Sequence, residues 1–404
     1  MKLMTNIFRP YQVDTLEILQ NHNKGIIIIP TGGGKTLIFM EDVKQRILGA
    51  HRPLVFVIVA PKILLSAQLY SEFKYFLKEM SNIYQSSVHS GEDGCTDSSR
   101  IKVSHQLISN LNYHHLLFTT YHSLPRILEA GIEIDVAIFD EAHHSVKESN
   151  FVGVAQTTQT ANNSYFYTAT PRHTDSKTTM ANTTVYGGTI VHLLPKELVE
   201  SGYILPPRVE PYEALDFDDE NIIKYIDSIE DCENPKILVS VPSTQIMMDM
   251  FTETELLNEL YVRNFNVFHI TSKYGCVLNQ NKISRVDFFD NLNEIGNDDN
   301  QKLIVFHYSI LGEGMNVEGL THSLLLRNLS VIDYVQTIGR IIRIHKEDKR
   351  RIQSGEIKAG DYHHYKKPYG VIAYPSTNSR GDKIQERLQA IVDALFIEGK
   401  PLIA

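Results

Sequence analysis

The chain has 404 residues, of which 42% are apolar and 22% charged, and its formal net charge is −9. This length exceeds what one hydrophobic core usually supports, so we expect two domains, and no apolar run approaches the roughly 20 residues that span a bilayer. The acidic balance excludes a protein that binds nucleic acid through bulk positive charge, but not one that grips a phosphate backbone locally.

The segment Phe8-Arg9-Pro10-Tyr11-Gln12 precedes an apolar pattern that predicts a helix. Arg9 and Gln12 carry the donors and acceptors that the edge of an adenine needs. An ordinary helix start is the alternative. The phosphate loop predicted a short way downstream favours the adenine contact.

Four consecutive isoleucines, residues 26–29, predict a strand that is buried on both faces. The chain then reads Thr31-Gly32-Gly33-Gly34-Lys35-Thr36 and enters a predicted helix. Glycines let backbone N–H groups wrap an anion, and the N-terminus of a helix adds a positive dipole end. Lys35 would reach the β- and γ-phosphates of a nucleotide, and the Thr36 hydroxyl would ligate Mg²⁺. The strict pattern has a glycine where this chain has Ile29, so a glycine-rich turn is the alternative.

Further strands are predicted at Leu54–Ala60 and Leu116–Tyr121, with the end of another at Val88–Gly91. Hydroxyls at strand ends, such as those of Thr119 and Thr120, suit contacts with phosphates. They are also common turn formers, so either interpretation stays open.

An apolar strand from Asp135 delivers two adjacent carboxylates, Asp140 and Glu141, to its carboxyl end. Open α/β sheets bind ligands at that edge. Asp140 would hold Mg²⁺, and Glu141 would orient and deprotonate an attacking water. A solvated acidic turn is the alternative. The stretch Ser164–Pro171 predicts another strand, which ends in the hydroxyls of Thr168 and Thr170 beside the proline. This arrangement suits either hydrogen bonds that link the γ-phosphate to a neighbouring domain or a plain turn.

An acid-rich stretch with one lysine, from Glu213 to Glu233, predicts a linker. A second α/β unit follows, with predicted strands at Ile237–Val241, Val267–Ile270, Leu303–Phe306, Ser323–Leu326 and Val371–Tyr374. Helical stretches between these strands predict a second parallel sheet.

The second unit has no phosphate loop of its own, but two of its stretches carry candidate nucleotide contacts. Glycines in residues 311–316 let the backbone approach a ligand, and Gly314 and Asn316 are the candidates there. In the stretch 336–343, Arg340 and Arg343 are three residues apart, which predicts that both lie on one side of a helix. They are candidate arginine fingers, and a solvated basic helix face is the alternative. An amphipathic helix is predicted from Ser379 to Gly399.

The ordered set of motifs resembles superfamily 2 helicases of the DEAH type, in the branch of restriction-motor and phage recombination helicases. The resemblance covers most of the chain, from Phe8 to Arg343. The matching segments are Arg9–Gln12 (adenine motif), Pro30–Thr36 (motif I), Ala60–Gln68 (Ia), Thr119–Leu124 (Ib), Asp140–His143 (II), Thr168–Thr170 (III), Ser240–Thr244 (IV), Gly312–Asn316 (V) and Gln336–Arg343 (VI).

The resemblance implies an α/β protein with two tandem RecA-like domains, each built on a parallel sheet, that clamp one ATP in the cleft between them. We expect an ATP-binding domain at 1–208, an acidic linker at 209–235 and a helicase C-terminal domain at 236–404. ATP and Mg²⁺ are the implied cofactors. The implied catalytic residues are Lys35, Glu141, Gln336, Arg340 and Arg343. The implied nucleotide contacts are Arg9, Gln12, Thr31, Gly32, Gly33, Gly34, Lys35, Thr36, Gly314 and Asn316, with Thr36 and Asp140 on the metal.

The leading hypothesis is an ATP-driven DNA helicase or translocase that acts as a monomer on single-stranded, duplex or forked DNA, without a membrane. An RNA-directed helicase is the alternative within the same class, since the Asp-Glu-Ala-His motif occurs in both kinds. A nucleic-acid clamp gated by ATP, without strand separation, is a third. Three scattered cysteines and the lack of a secretory signal pattern lead us to expect a reducing, cytoplasmic location.

Overall fold

The fold is taken from a computed structural model, which describes residues 8–173, 177–271, 273–308, 317, 319–376 and 379–400. The chain folds as two compact units, the first comprising most of the residues up to Leu193 and the second most of those from Leu194 onward. Among the helices of these described ranges, none combines the length and the apolar character needed to cross a membrane.

The first unit is an α/β unit whose strands alternate with helices along the chain. Its strands are β1 (Lys24–Ile28), β2 (Val55–Ala60), β3 (Ile83–Val88), β4 (His114–Thr120), β5 (Val136–Phe139), β6 (Asn163–Thr168) and β7 (Thr189–His192). Its helices are α1 (Pro10–Asn21), α2 (Lys35–Leu48), α3 (Ile63–Phe76), α4 (Ser98–Asn110), α5 (Leu124–Glu129), α6 (Glu148–Thr160) and α7 (Thr183–Tyr186), with a 3₁₀ turn at Ala142–His144.

All neighbouring strands of the first sheet pair in parallel, in the order β3-β4-β2-β5-β6-β1-β7. The isoleucine run shows why β1 lies inside this sheet. Ile27 and Ile29 belong to one apolar core, whereas Ile26 and Ile28 belong to another. Successive side chains of a strand point to opposite faces, so one apolar run supplies both cores. The predicted strand, buried on both faces, is confirmed.

The second unit is also an α/β unit. Its strands are β8 (Pro207–Glu213), β9 (Lys236–Ser240), β10 (Phe265–Thr271), β11 (Gly275–Leu278), β12 (Asn281–Ile283), β13 (Lys302–His307), β14 (His322–Leu325) and β15 (Gly370–Ser376). Its helices are α8 (Pro195–Glu200), α9 (Asp218–Asp227), α10 (Thr244–Glu253), α11 (Leu256–Val262), α12 (Arg285–Asn297), α13 (Val331–Ile341), α14 (Lys346–Gln353) and α15 (Ser379–Val392), with a 3₁₀ turn at Tyr362–His364 and a π-helical turn at Asp393–Glu398.

The second sheet has the order β12-β11-β10-β13-β9-β14-β15-β8. The strands from β10 to β8 pair in parallel, whereas β11 and β12 add an antiparallel hairpin at one edge. The predicted parallel sheet is therefore confirmed for its centre. The hairpin was not predicted, because its two strands have only four and three residues.

The acidic stretch predicted as a linker is folded in the structure. Residues 207–213 form β8, which pairs along its whole length with β15. Helix α9 then packs Ile222, Tyr225 and Ile226 into the core of the second unit. The predicted boundaries at 208 and 235 thus differ from the division at Leu193 and Leu194. The sequence did not indicate helix α9, because its apolar residues lie on one face only and its acidic residues are typical of a solvated linker.

Candidate functional site

The glycine loop between β1 and α2 requires residues without a Cβ at two positions. Gly32 and Gly34 have φ angles of +84° and +81°, which L side chains rarely adopt. Gly34 is also the N-cap residue of α2, and no side chain caps that helix end. The first turn of α2 can therefore offer backbone N–H groups and the positive dipole end to an anion. The backbone of this loop has the geometry that phosphate binding needs.

Lys35, the first residue of α2, keeps its ammonium group inside the protein. The side chain is only 8% exposed, and Nζ donates to the backbone carbonyl of Ile29 at 3.3 Å. A buried ammonium is costly unless opposite charge or hydrogen bonds compensate it. The hydrogen bond to a neutral carbonyl is long, and the opposite charge that acts on this ammonium is that of Asp140, so the group can also attract an anionic ligand. Thr36 follows in the first turn and is half-buried.

The two carboxylates predicted at the end of β5 are both buried. Asp140 and Glu141 are 5% and 6% exposed. The backbone N–H of Glu141 donates to Oδ1 of Asp140 at 3.0 Å, and Glu141 has a φ angle of +45°. The Tyr121 hydroxyl donates to the backbone carbonyl of Asp140 at 2.8 Å and so fixes the end of the strand. A strained backbone at a buried acidic pair is typical of a functional site.

Electrostatics tie this acidic pair to the phosphate loop. Burial is the largest influence on Asp140, and together with the charge of Glu141 it raises the pKa of Asp140 to about 7. The charge of Lys35 and the hydrogen bond from the Glu141 backbone act in the opposite direction. Because an additional cation would relieve the repulsion within the pair, these carboxylates are suited to a divalent metal.

The donor set matches Mg²⁺. A hydroxyl from Thr36 and one carboxylate from Asp140 are hard oxygen ligands, and Mg²⁺ typically takes one or two carboxylates together with phosphates and waters. Among the described residues no group of three or more His, Cys, Asp or Glu side chains could hold a metal ion. A metal here would therefore depend on a bound nucleotide for several of its ligands.

The hydroxyls at the end of β6 connect the acidic pair to the strand beside the phosphate loop. Thr168 Oγ1 forms a hydrogen bond with His143 Nδ1 at 3.2 Å and accepts one from the backbone N–H of Thr170 at 3.1 Å. His143 Nδ1 lies 3.5 Å from Oε2 of Glu141. The backbone N–H of Ile29 donates to the carbonyl of Thr168. The sequence singled out the hydroxyls but missed His143 as their partner, since no spacing rule joins positions 25 residues apart.

Arg9 and Gln12 meet at the start of α1. The backbone N–H of Arg9 donates to Oε1 of Gln12 at 2.9 Å, and its guanidinium donates to the Tyr11 hydroxyl at 2.9 Å. The Gln12 side chain is buried, and its Nε2 would lie 2.5 Å from a Cβ placed on Gly34. The predicted adenine motif therefore packs directly against the phosphate loop.

Helix α13 of the second unit carries Gln336 and Arg340, both buried. Within the described part of the chain, neither amide atom of Gln336 has a hydrogen-bond partner. Buried polar groups are normally satisfied, so this amide is a candidate ligand contact. The helix ends at Ile341, so Arg343 lies beyond it. The prediction that both arginines lie on one side of a helix is wrong for Arg343. Gly314 and Asn316 fall outside the described residues.

A buried lysine that the sequence did not indicate holds the end of α13. Lys367 Nζ donates to the backbone carbonyls of Leu320 at 2.6 Å, Ile341 at 2.5 Å and Arg343 at 3.1 Å. Fully buried Asp348 accepts hydrogen bonds from the backbone N–H of Lys367 and of the residue before it. This network fixes the backbone that carries the two arginines. The last carbonyls of a helix favour a cation in this position.

Residues 6–173 match the profile of a family described as "Type III restriction enzyme, res subunit". No curated protein matches the sequence significantly.

Solved structures match nearly the whole chain. One is an ATP-dependent Type ISP restriction-modification enzyme, LlaBIII, bound to DNA, with a TM-score of 0.71, 17% identity and coverage of 96% of this chain and 30% of that one. Another is a nuclease-deletion mutant of the Type ISP enzyme LlaGI in complex with a DNA substrate mimic. Its TM-score is 0.64 at 18% identity, and the match covers 96% of this chain and 29% of that one. The chain thus spans less than a third of these two enzymes. A third is Dbp5 of S. cerevisiae, bound to RNA and ADP BeF3. Its TM-score is 0.61 at 14% identity, and the match covers 98% of this chain and 89% of that one.

At these identities the solved structures establish the fold, which is that of helicases with two tandem RecA-like domains. The match of residues 6–173 falls on the unit that carries the phosphate loop and the acidic pair. The family match of residues 6–173 and the fold shared with two Type ISP restriction enzymes support the resemblance to superfamily 2 helicases of the restriction-motor branch.

Proposed function

We propose that this chain is an ATP hydrolase that couples ATP turnover to unwinding or remodelling of duplex or branched DNA. One observation carries the proposal. In the first unit, a glycine loop with positive φ angles leads into an uncapped helix N-terminus, where the buried ammonium of Lys35 acts electrostatically on the buried carboxylate of Asp140. Such a perturbed cluster beside an anion-binding loop is typical of a site for phosphoryl transfer.

The candidate site residues of the first unit have distinct roles in this proposal. Backbone N–H groups of the loop 31–34 and the Lys35 ammonium bind the β- and γ-phosphates. Thr36 and Asp140 hold Mg²⁺, which neutralises charge on the phosphates when it is bound. Glu141 orients the attacking water and accepts its proton, while His143 and Thr168 keep that carboxylate in place.

Two more sets of residues complete the proposed nucleotide contacts. Arg9 and Gln12 recognise the adenine, and the contact of Gln12 with Gly34 couples that recognition to the phosphate loop. From the second unit, Gln336 and the arginines Arg340 and Arg343 would act on charge that develops on the γ-phosphate. Gly314 and Asn316 remain predicted contacts from the sequence.

DNA is the proposed polymer because the Type ISP enzymes were solved with DNA or a DNA substrate mimic. RNA is the second candidate, because DEAD-box proteins with the same fold were solved with RNA. The proposal predicts that ATP turnover rises severalfold with one kind of polymer.

The test is the steady-state ATPase rate of the purified chain with no polymer, single-stranded DNA, duplex DNA, forked DNA and RNA in parallel, beside a strand-displacement assay. Glu141→Gln keeps the shape of the side chain but removes the basic carboxylate, so ATP should still bind while hydrolysis stops. Glu148→Gln, an exposed carboxylate nearby, is the control and should behave as the parent does. Parent-level hydrolysis by Glu141→Gln would refute the assigned role of Glu141.

Two further outcomes separate the alternatives. Stimulation by RNA but not by DNA would replace DNA with RNA as the substrate. Stimulated hydrolysis without strand displacement or movement would leave an ATP-gated clamp. Arg340→Ala should bind ATP but hydrolyse it roughly 10³-fold more slowly, which is the loss typical of an arginine finger.

A further inference from the structure

An acidic groove with apolar side chains lies on the second unit, between the start of α9 and helix α10. Its volume is about 490 Å³. Five carboxylates line it, and of the described residues that line it none is Lys, Arg or His. These carboxylates are Asp216, Asp218, Asp219, Asp249 and Glu253. Between them lie four apolar side chains, those of Leu215, Phe217, Ile246 and Met250.

Two of the apolar side chains of this groove, those of Leu215 and Phe217, lie on a hydrogen-bonded turn, and the other two lie on α10. Buried Asn221 accepts a hydrogen bond from the backbone N–H of Leu215 at 2.7 Å. Its amide group donates to the carbonyls of Leu215 at 3.1 Å and Phe217 at 2.8 Å. Phe217 is nevertheless 65% exposed, Leu215 39% and Ile246 37%. A hydrogen-bonded turn that exposes a phenylalanine and a leucine, beside an exposed isoleucine on a helix, is suited to binding, because little backbone entropy is lost when a partner covers these side chains.

The stability of the fold explains only part of the acidic charge. Asp218 and Asp219 lie in the first turn of α9, where carboxylates stabilise the helix dipole. Glu253 is the last residue of α10, where a carboxylate opposes the dipole. Asp249 lies one turn earlier and accepts a hydrogen bond from Gln245 at 2.6 Å. Neither side chain is in an ion pair within the described part of the chain. Apart from the hydrogen bond between Gln245 and Asp249, the charge of this second pair therefore has no evident role in folding.

We propose that this groove binds a basic amphipathic segment of a partner protein, in which Lys or Arg side chains flank an apolar anchor. The anchor would pack on Phe217, Leu215 and Ile246, and the cations would pair with carboxylates on both sides of the groove. Nucleic acid is excluded as the occupant, since its phosphates would be repelled by five carboxylates. The surface therefore serves recruitment of the motor rather than its contact with DNA.

The test is binding of a fluorescein-labelled 20-residue helical peptide, with leucines on one face and lysines on the other, to the full chain by fluorescence anisotropy. Phe217→Ala and the double variant Asp249→Asn with Glu253→Gln should each weaken binding at least tenfold. The matched control is Asp290→Asn with Glu294→Gln, because these exposed carboxylates have the same spacing on α12 and the change in net charge is equal. The control should bind within twofold of the parent.

Several results would overturn the proposal. Absence of peptide binding, or equal weakening by the groove variant and the control, would show that no docking site exists beyond the general acidic charge of the chain. Sedimentation of the parent as a dimer that Phe217→Ala dissociates would identify a second copy as the occupant instead. ATPase and DNA binding should be unchanged in the groove variants, so this proposal and the proposed motor activity can fail independently.

Discussion

Replacement of the buried Lys367 by methionine tests how the arginine-bearing stretch of the second unit is held. The change removes a charged donor from three backbone carbonyls, those of Leu320, Ile341 and Arg343. Each carbonyl left without this donor costs roughly 1–3 kcal/mol. Release of a buried charge offsets part of that sum, so we expect a net loss of about 3–5 kcal/mol, as for other broken buried pairs. For a unit of some 200 residues this lowers the melting temperature by roughly 6–20 °C.

The assay is differential scanning calorimetry of the full chain, in which the transition of the second unit should move and that of the first should stay. Lys366→Met is the matched control, because the Lys366 side chain is 50% exposed and its ammonium pairs with Asp299 on the surface. Exposed pairs contribute at most about 1 kcal/mol. At a temperature where Lys367→Met is still folded, its ATP turnover should fall while ATP binding persists, and Lys367→Arg should restore part of it. Equal shifts for the Lys366 and Lys367 variants would refute the reasoning.

Three other outcomes are expected. Gly34→Ala should weaken binding of a fluorescent ATP analogue for two reasons. The alanine would have to adopt a positive φ, which costs about 1–2 kcal/mol, and its Cβ would lie 2.5 Å from Nε2 of Gln12. Affinity for DNA should fall steeply in a salt titration despite the acidic net charge, because bound phosphates release counterions. Desolvation raises the pKa of Asp299, but hydrogen bonds from Lys366 and His345 outweigh it and lower this pKa to about 2. This carboxylate therefore stabilises the fold above its unfolded pKa, and the deficit of Asp299→Asn in urea unfolding should shrink between pH 6 and pH 3.

Much of the first sheet could be predicted because its signals are local. The isoleucines of β1 supply both cores, and the strand that precedes Asp140 is an unbroken apolar run. Strand β7 has four residues, of which only Val191 is buried, and was not predicted. Strand β8 contains Pro211, which normally argues against a strand. Its position at the edge of the sheet explains why the proline is tolerated.

The contacts that hold the candidate site had no signal in the sequence. Tyr121 was predicted as a strand end, but its hydroxyl bond to the Asp140 carbonyl joins residues 19 positions apart. Lys367 lies 26 residues from Ile341, whose carbonyl it binds. Such pairs depend on the packing of whole elements, which no local pattern encodes. The same holds for the groove: Asp216, Asp218 and Asp219 were predicted only as part of a solvated linker, and no pattern joined them to Asp249 and Glu253.

The two units differ in how far local sequence predicts their chemistry, and the reason lies in the elements that carry it. In the first unit, Asp140 directly follows β5, and Lys35 follows β1 after the glycine loop. The strands of a parallel sheet bring their carboxyl ends to one edge. Proximity of such residues follows from topology, and the charge of Lys35 does act on Asp140. In the second unit Arg340 and Arg343 come from a helix and the chain beyond it, so their placement requires a specific anchor. Lys367 supplies that anchor, which makes it a more sensitive test of the second unit than any change within the helix.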